Sequence, residues 1–236
     1  VWAKHDDPED STRNTMEVLV AGVRPMVQAF PGCLLVDTDL AAIENVVLGW
    51  LARDDKILRV FREGLDPYID FATDMFGLFY AVIKAEVDAG NKHKRTTAKP
   101  GVLGCGYMLG PGEARENRQT GELEATGLLG YAWNMGVNLT PEMAKLSVDT
   151  FRGKFEDVRA FWYDLDRAVR RAITTGREQT CGYLRIDISG PFMRIRLPSG
   201  RHLHYWRPRI ENRKVKIKGE VQTRSQITYE QIENGQ

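Results

Sequence analysis

The chain of 236 residues has few cysteines and almost no net charge, and both features exclude whole classes of protein. Its three cysteines, Cys33, Cys105 and Cys181, are odd in number and lie far apart. They form neither a disulfide framework nor a zinc knuckle, so a reducing cytosol is the simpler location. The 33 basic and 32 acidic residues leave a formal charge of +1, so nucleic-acid binding would need a local cluster of charge.

Long apolar runs are also missing from the sequence. No run approaches the roughly 18 apolar residues of a membrane span, and the first residues lack the order of a secretory signal. Hydrophobic residues nevertheless make up 42% of the chain, which is enough for a globular core at this length.

The order of the patterned segments predicts an α+β fold, with one strand, then many helices, then antiparallel strands. The apolar run Cys33–Asp39 predicts a buried strand that ends in carboxylates. Helical spacing of apolar residues predicts helices over 41–62, over 68–89, and from the Thr140 N-cap to about 172 with a break near Gly153. Alternation predicts strands at 184–188 and 193–197, followed by a turn at 198–200.

Two acids close the predicted first strand. Asp37 and Asp39 are two residues apart, so a regular strand places them on the same face. Buried carboxylates need a positive partner, and Mg²⁺ prefers such hard oxygen ligands. The alternative is that Asp39 caps a helix beginning at Leu40 or Ala41, and spacing alone favours this second interpretation.

The segment 92–112 opens with cations and then becomes rich in glycine. Arg95, Lys99, Leu103 and Tyr107 follow one another at steps of four, so a helix would place them on one face. Two cations near a helix N-terminus suit a triphosphate, and the leucine and tyrosine would touch a flat group such as a base pair. This requires a helix that begins at Thr96 or Thr97, with Arg95 at or just before its cap, so that the proline lies in the first turn.

Two other interpretations of this segment stay open. A basic surface loop followed by a glycine-rich turn fits the composition equally well. A generic phosphate loop built from Gly101, Gly104 and Gly106 is a weak match, because no Lys-Ser or Lys-Thr follows the glycines.

The C-terminal part carries the strongest local charge. Seven Lys or Arg lie from Arg201 to Lys218, against one acid, Glu211. Histidines and aromatics are interleaved near its start, and such strands can grip a phosphate backbone and stack on bases. The alternative is a solvated charged face. His202 and His204 share a strand face but have no third ligand nearby, so we expect no metal there.

Taken together, these segments resemble a known family. Residues 35–52 resemble motif A of the family A DNA polymerases, the DNA polymerase I type, in the form that bacteriophages use. The Arg95-xxx-Lys99-xxx-Leu103-xxx-Tyr107 segment with Met108-Leu109-Gly110 resembles motif B of the same family. Segments 66–72 and 197–205 fit as well, so the resemblance covers roughly 29–236.

The resemblance implies an activity and a cofactor. The chain would be part of a DNA-directed DNA polymerase that transfers a nucleotide from a dNTP to a primer 3′-hydroxyl with two Mg²⁺ ions. Asp39 would be the catalytic metal ligand, with the backbone carbonyl of Leu40 completing the coordination. Lys99 would act in catalysis as well as in substrate binding, and Arg95 would grip the triphosphate beside it.

Three further residues receive roles from the resemblance. Leu103 would pack on the nascent base pair. Glu44, held by Tyr107, would lie beneath the incoming sugar and exclude a ribose 2′-hydroxyl. Tyr68 stands where cellular relatives carry a histidine that contacts phosphate.

The resemblance also implies a domain organisation and partners. Residues 1–44 would be part of the palm with the motif A strand, 45–175 the helical fingers, and 176–236 a β-rich return to the palm. The partners would be primer-template DNA and dNTPs, in the cytoplasm of a bacterial host.

One part of the family pattern is missing. Motif C, a His-Asp pair between apolar strands, does not occur in the sequence. We therefore expect an incomplete, inactive part of a polymerase, whose second carboxylate comes from a remaining segment in the same or a separate chain. Two other functions stay open: a non-catalytic nucleic-acid-binding module that uses the basic tail with 92–99, and a nucleotide-phosphate binder in which Asp39 is only a cap.

Overall fold

The computed structural model describes residues 22–23, 25–36, 38–40, 42–116, 123–217 and 220–231. The chain separates into two units, 1–41 and 42–236. None of the helices in these described ranges is both long enough and apolar enough to cross a bilayer.

The predicted buried strand at 33–39 is wrong for the residues that the structure describes. Residues 33–36 and 38–40 have no strand assignment, and Leu34 is 92% exposed. A strand needs a hydrogen-bonded neighbour, and the described strands pair only with one another. Asp37 lies outside the described residues. A turn precedes this segment, in which the Cys33 N–H donates to the Phe30 carbonyl around Gly32, whose φ is +80°.

From residue 43 to residue 175 the structure is mainly helical. The helices are α1 (Ile43–Ala52), α2 (Asp55–Arg62), α3 (Pro67–Phe76), α4 (Tyr80–Asp88), α5 (His93–Gly106), α6 (Gly127–Asn134), α7 (Pro141–Lys154) and α8 (Glu156–Thr175). A small hairpin of β1 (Ala114–Glu116) and β2 (Leu123–Ala125) lies between α5 and α6.

The two long helices predicted at 41–62 and 68–89 are each broken in two. Arg53 adopts a left-handed conformation, with φ at +58°, and ends α1. The buried Asp54 then caps α2, because its Oδ1 accepts a hydrogen bond of 3.1 Å from the Ile57 N–H. Gly77, with φ at +63°, ends α3 in the same way. Apolar spacing alone does not reveal such breaks, because the hydrophobic stripe continues across them.

The predicted start of α7 is confirmed, whereas the break in the long C-terminal helix lies two residues later than expected. Thr140 accepts a hydrogen bond of 3.2 Å from the Met143 N–H, and Pro141 occupies the first helical position. The break between α7 and α8 falls at Phe155 instead of Gly153. The Phe155 ring packs 4.9 Å from that of Phe151, so burial of this side chain fixes the position of the break.

The helical core is built from buried aromatic and branched side chains of α2 to α8. Phe71 and Phe151 are fully buried, with ring centroids 6.1 Å apart. Each such ring stabilises the fold by about 1.5–3 kcal/mol relative to exposure. At the edge of this core the Lys154 Nζ lies 2.6 Å from the Asp70 carboxylate and also contacts Asp74. This nearly buried cation joins the end of α7 to α3.

The C-terminal part of the structure, from 179 to 230, is a five-stranded antiparallel sheet in the order β3-β4-β5-β6-β7. Its strands are β3 (Gln179–Cys181), β4 (Leu184–Ser189), β5 (Phe192–Arg196), β6 (His202–Ile217) and β7 (Glu220–Glu230). The predicted strands at 184–188 and 193–197 are confirmed as β4 and β5, and a turn follows at 198–200. Buried residues of α8 pack on β3, β4 and β5 in a second core. The α+β fold class is therefore confirmed.

Candidate functional site

Helix α5 carries most of the candidate residues, although its composition disfavours a helix. It contains Pro100 in its interior and ends in a glycine-rich turn. The predicted start at Thr96 or Thr97 is wrong, because the helix already begins at His93 and Arg95 is inside it. Pro100 therefore lies beyond the first turn, where its ring nitrogen cannot donate a helical hydrogen bond.

Close packing behind α5 explains why this helix forms. A Cβ on Gly101 would lie 2.1 Å from the Ser147 Oγ and 2.7 Å from the Phe71 ring. A Cβ on Gly104 would lie 2.8 Å from Leu128. The glycines thus let α5 approach α3, α6 and α7 more closely than larger residues would allow, and the packing offsets their poor helix propensity. The interpretation of this segment as a surface loop is excluded.

The opposite side of α5 brings together the four residues predicted to share a face: Arg95, Lys99, Leu103 and, at the C-cap, Tyr107. We call this set the α5 face. The Arg95 guanidinium lies 5.0 Å from the centre of the Tyr68 ring, and the Lys99 Nζ lies 5.8 Å from the same centre. Cation–π attraction at this distance holds both cations over one ring.

Arg95 also has a carboxylate partner that sequence reasoning missed. Its Nε donates a hydrogen bond of 2.7 Å to the Asp66 Oδ2, and both side chains are less than one third exposed. The other oxygen of Asp66 caps α3, because it accepts hydrogen bonds from the Tyr68 and Ile69 N–H groups. One acid thus fixes both a helix start and an arginine. By contrast, no ion pair joins Lys99 to another residue in the described part of the chain.

Glu44, in the first turn of α1, faces the end of α5. The Tyr107 hydroxyl donates a hydrogen bond to the Glu44 carboxylate, and this bond is the main cause of the raised pKa of Tyr107. Burial raises the pKa of Tyr131, and the charge of Glu44 adds to that increase. Burial also raises the pKa of Tyr68. The charge of Arg95 opposes this increase, and the charge of Glu44 adds to it. The charge of Glu44 therefore contributes to the raised pKa values of three tyrosines.

A groove of about 450 Å³ separates α1 from α5. Its lining includes Glu44, Val47 and Leu48 from α1, and Leu103 and Tyr107 from α5. Most of this lining is apolar, and Glu44, Asn45 and the Tyr107 hydroxyl are its polar groups. The groove can therefore hold a flat or apolar group against Leu103 while the carboxylate contacts a polar substituent.

Asp39 and Leu40 belong to the other unit, and both are exposed. The interpretation of Asp39 as a helix cap is wrong, because α1 begins at Ile43 and its N-cap residue Ala42 makes no side-chain cap. No group of three or more His, Cys, Asp or Glu that could bind a metal occurs among the described residues. Asp39 with the Leu40 carbonyl offers one carboxylate and one carbonyl ligand, whereas a pair of Mg²⁺ ions needs further carboxylates. These residues alone do not fit a two-ion centre.

Comparison with known proteins gives one curated relative and no matching family model. The DNA polymerase of Bacillus phage SP02 is 28% identical over 179 residues, which cover 74% of this chain. The chain is related to a phage DNA polymerase. The match spans 24% of the length of that polymerase, so the relationship concerns about a quarter of it.

Proposed function

We propose that this chain is the fingers and part of the palm of a phage-type family A DNA polymerase, and that its α5 face binds the incoming dNTP. In this proposal residues 1–44 belong to the palm, 45–175 form the fingers and 176–236 return to the palm. The observation that carries the proposal is the α5 face itself, with two cations over Tyr68 at one end and Tyr107 bonded to Glu44 at the other. The relationship to a phage DNA polymerase supports it.

The residues along α5 suit successive parts of a deoxynucleoside triphosphate. Arg95 and Lys99 would contact the phosphates, and Lys99 would also stabilise charge that develops during transfer. Leu103 would pack on the base pair, and Glu44 would occupy the space of a ribose 2′-hydroxyl. Asp39 and the Leu40 carbonyl would bind Mg²⁺ only together with carboxylates from another segment.

A dNTP titration in the presence of Mg²⁺ tests this proposal. Lys99→Ala should raise the dissociation constant about 10- to 100-fold, because a charge-assisted hydrogen bond to phosphate contributes about 1.5–3 kcal/mol. Lys145→Ala removes the same charge from an exposed helix position and should leave the dissociation constant unchanged. Equal dNTP affinity in all three proteins would contradict the proposal.

A primer-extension assay tests whether the catalytic carboxylates are divided between this chain and a segment that carries the His-Asp pair. We expect no extension by the 236 residues alone, and restored extension when a polypeptide carrying the His-Asp segment is added. Extension by the chain alone, abolished by Asp39→Ala, would show that the chain already holds both carboxylates. A partner that carries the His-Asp segment and restores nothing would count against the complementation.

A further inference from the structure

The last two strands of the sheet extend beyond the rest of it. Strand β5 pairs with β6 only over 202–206, whereas β6 and β7 continue to pair from Arg209 opposite Thr228 to Ile217 opposite Glu220. A bulge between Trp206 and Arg209 separates the two parts of β6. Residues 209–217 and 220–228 thus form a two-stranded element beyond the end of β5, which we call the ribbon.

The ribbon is basic and contains no aromatic residue. Residues 209–228 include six Lys or Arg and two Glu, a net +4 within a chain whose total formal charge is +1. The rest of the molecule is therefore net acidic, and the positive charge is local. The aromatic residues of β6 and β7 all lie outside the ribbon, at Tyr205, Trp206 and Tyr229.

The cations of the ribbon are only partly balanced by its acids. Arg213 and Arg224 are directly opposite in the register, and like charges at such positions destabilise a strand pair. Arg213 bonds to Glu211 on its own strand. No hydrogen bond or ion pair links the side chains of Lys214 or Arg224 to any other residue among those described, and both side chains are exposed. These cations have no evident role in stabilising the fold.

The base of the ribbon is nevertheless held firmly. Arg170 of α8 donates hydrogen bonds of 2.9 Å to the Ser225 Oγ and of 3.1 Å to the Ser225 carbonyl. Ile227 packs against the core beneath the sheet. Anchoring at this point fixes the direction of the ribbon, so a partner would meet cations whose backbone is already ordered.

We propose that the ribbon binds the phosphate backbone of duplex DNA through Arg213, Lys214 and Arg224. Lys214 and Arg224, whose side chains have no partner among the described residues, are free to neutralise phosphates, and the exposed Arg213 adds a third charge directly opposite Arg224. Single-strand binding sites add aromatic stacking platforms, and the ribbon has none. A two-stranded ribbon is also a shape that the major groove, about 12 Å wide, admits. The inference rests on the proposed function only for the choice of DNA over RNA.

Duplex binding by fluorescence anisotropy, across a salt series and without dNTP, tests the proposal. The probe is a labelled blunt DNA duplex of about 20 base pairs, which spans about two turns of the helix. The triple variant Arg213→Ala/Lys214→Ala/Arg224→Ala should bind about 10-fold or more weakly at 0.1 M salt. Its slope of log affinity against log salt should be less steep by about 2–3, since each phosphate contact contributes about 0.9.

A matched control removes the same charge elsewhere. Arg62→Ala/Lys84→Ala/Lys145→Ala deletes three exposed helical cations and should change duplex affinity less than about twofold. The variant Arg213→Lys/Arg224→Lys keeps the charge and should retain most of the binding. Equal losses in the two triple variants, or no loss in either, would overturn the proposal.

A cross-linking measurement keeps all the cations of the ribbon in place. A photoreactive group on Gln222→Cys, in a Cys33→Ser background, should label the duplex, whereas the same group on Lys145→Cys should not. Absent labelling from position 222, or stronger labelling of a single strand or an RNA duplex, overturns the proposal. Ribbon-dependent duplex binding with no dNTP binding would instead contradict the polymerase proposal alone.

Discussion

The α5 face and the ribbon are both basic, yet they hold their cations in opposite ways. Arg95 is bonded to Asp66 and lies over Tyr68, with its side chain 30% exposed. Lys214 and Arg224 lie on exposed strands. A fixed pair of cations beside an apolar groove suits one ligand of defined size, whereas exposed cations along a strand suit a repeating charge. Burial thus gives similar residue types a fixed geometry in one region and free, exposed charge in the other.

The two regions also depend differently on what lies behind them. The α5 face exists because a helix with an internal proline and several glycines packs closely on its neighbours. The ribbon depends on strand pairing and on anchoring at Ser225. Disturbing the helical core should therefore damage the first region and spare the second.

The largest effect is expected from Gly101→Ala. Its Cβ would meet the Ser147 Oγ at 2.1 Å and the buried Phe71 ring at 2.7 Å. Overpacking of this kind costs about 1–3 kcal/mol of unfolding free energy. Denaturant unfolding should show this loss, and dNTP binding should weaken, while duplex binding by the ribbon stays intact in the folded protein.

Gly153→Ala is the matched control for that change. Gly153 lies in α7, and a Cβ there would meet nothing within 4 Å. The substitution should be neutral or stabilise by up to about 1 kcal/mol, because alanine has the higher helix propensity. A Gly101→Ala protein as stable as the Gly153→Ala protein would show that the packing behind α5 is loose.

Local signals in the sequence were enough to predict part of the fold. The Thr140-Pro141 start and the alternation of β4 and β5 are patterns within a few residues, and both predictions are confirmed. The breaks at Arg53 and Gly77 were not predicted, because the apolar stripe continues through them. The strand at 33–39 was predicted from its apolar run, but strand formation depends on a neighbour that a linear pattern does not show.

The site was predictable where it depends on helical spacing and not where it depends on contacts between distant segments. Steps of four residues were sufficient to place Arg95, Lys99 and Leu103 on one face. The pairing of Arg95 with Asp66 spans 29 positions in the sequence, and Asp66 entered the prediction only as part of segment 66–72, without a partner assigned to it. How Asp39 acts with these residues stays a prediction.

Changes in pH should affect the stability of the helical region and that of the ribbon with opposite signs, and both effects should be smaller than that of Gly101→Ala. Burial raises the pKa of Asp54 above its ordinary 3.8, with Asp157 adding to the increase and the Ile57 N–H and Lys56 opposing it. The folded state therefore binds more protons than the unfolded state, and this contribution to stability falls as pH rises from about 4. Asp54→Asn, which keeps a favoured capping residue, should gain stability relative to the parent protein between about pH 4 and 7.

Glu211 in the ribbon should show the opposite sign. Its hydrogen bond from Arg213 lowers its pKa below the ordinary 4.5, so its contribution is present above that pH and is lost as pH falls below it. Glu211→Gln should therefore be less stable than the parent protein near neutral pH, with the difference disappearing in acid. Unfolding curves across the pH range check both signs, and parallel profiles for the two variants would refute the assignment.

The smallest effect concerns ionisation at the α5 face. The Tyr107 hydroxyl bonds to Glu44, and the charge of Glu44 also raises the pKa of Tyr68 and Tyr131. Glu44→Gln should therefore shift the ionisation of three of the eight tyrosines to lower pH, visible as earlier tyrosinate absorbance in an alkaline titration. Glu142→Gln, a change of the same charge at an exposed helix start, should leave the curve unchanged. Coincident curves for Glu44→Gln and the parent protein would mean that Glu44 does not hold Tyr107, and with that bond the proposed exclusion of a ribose hydroxyl would lose its support.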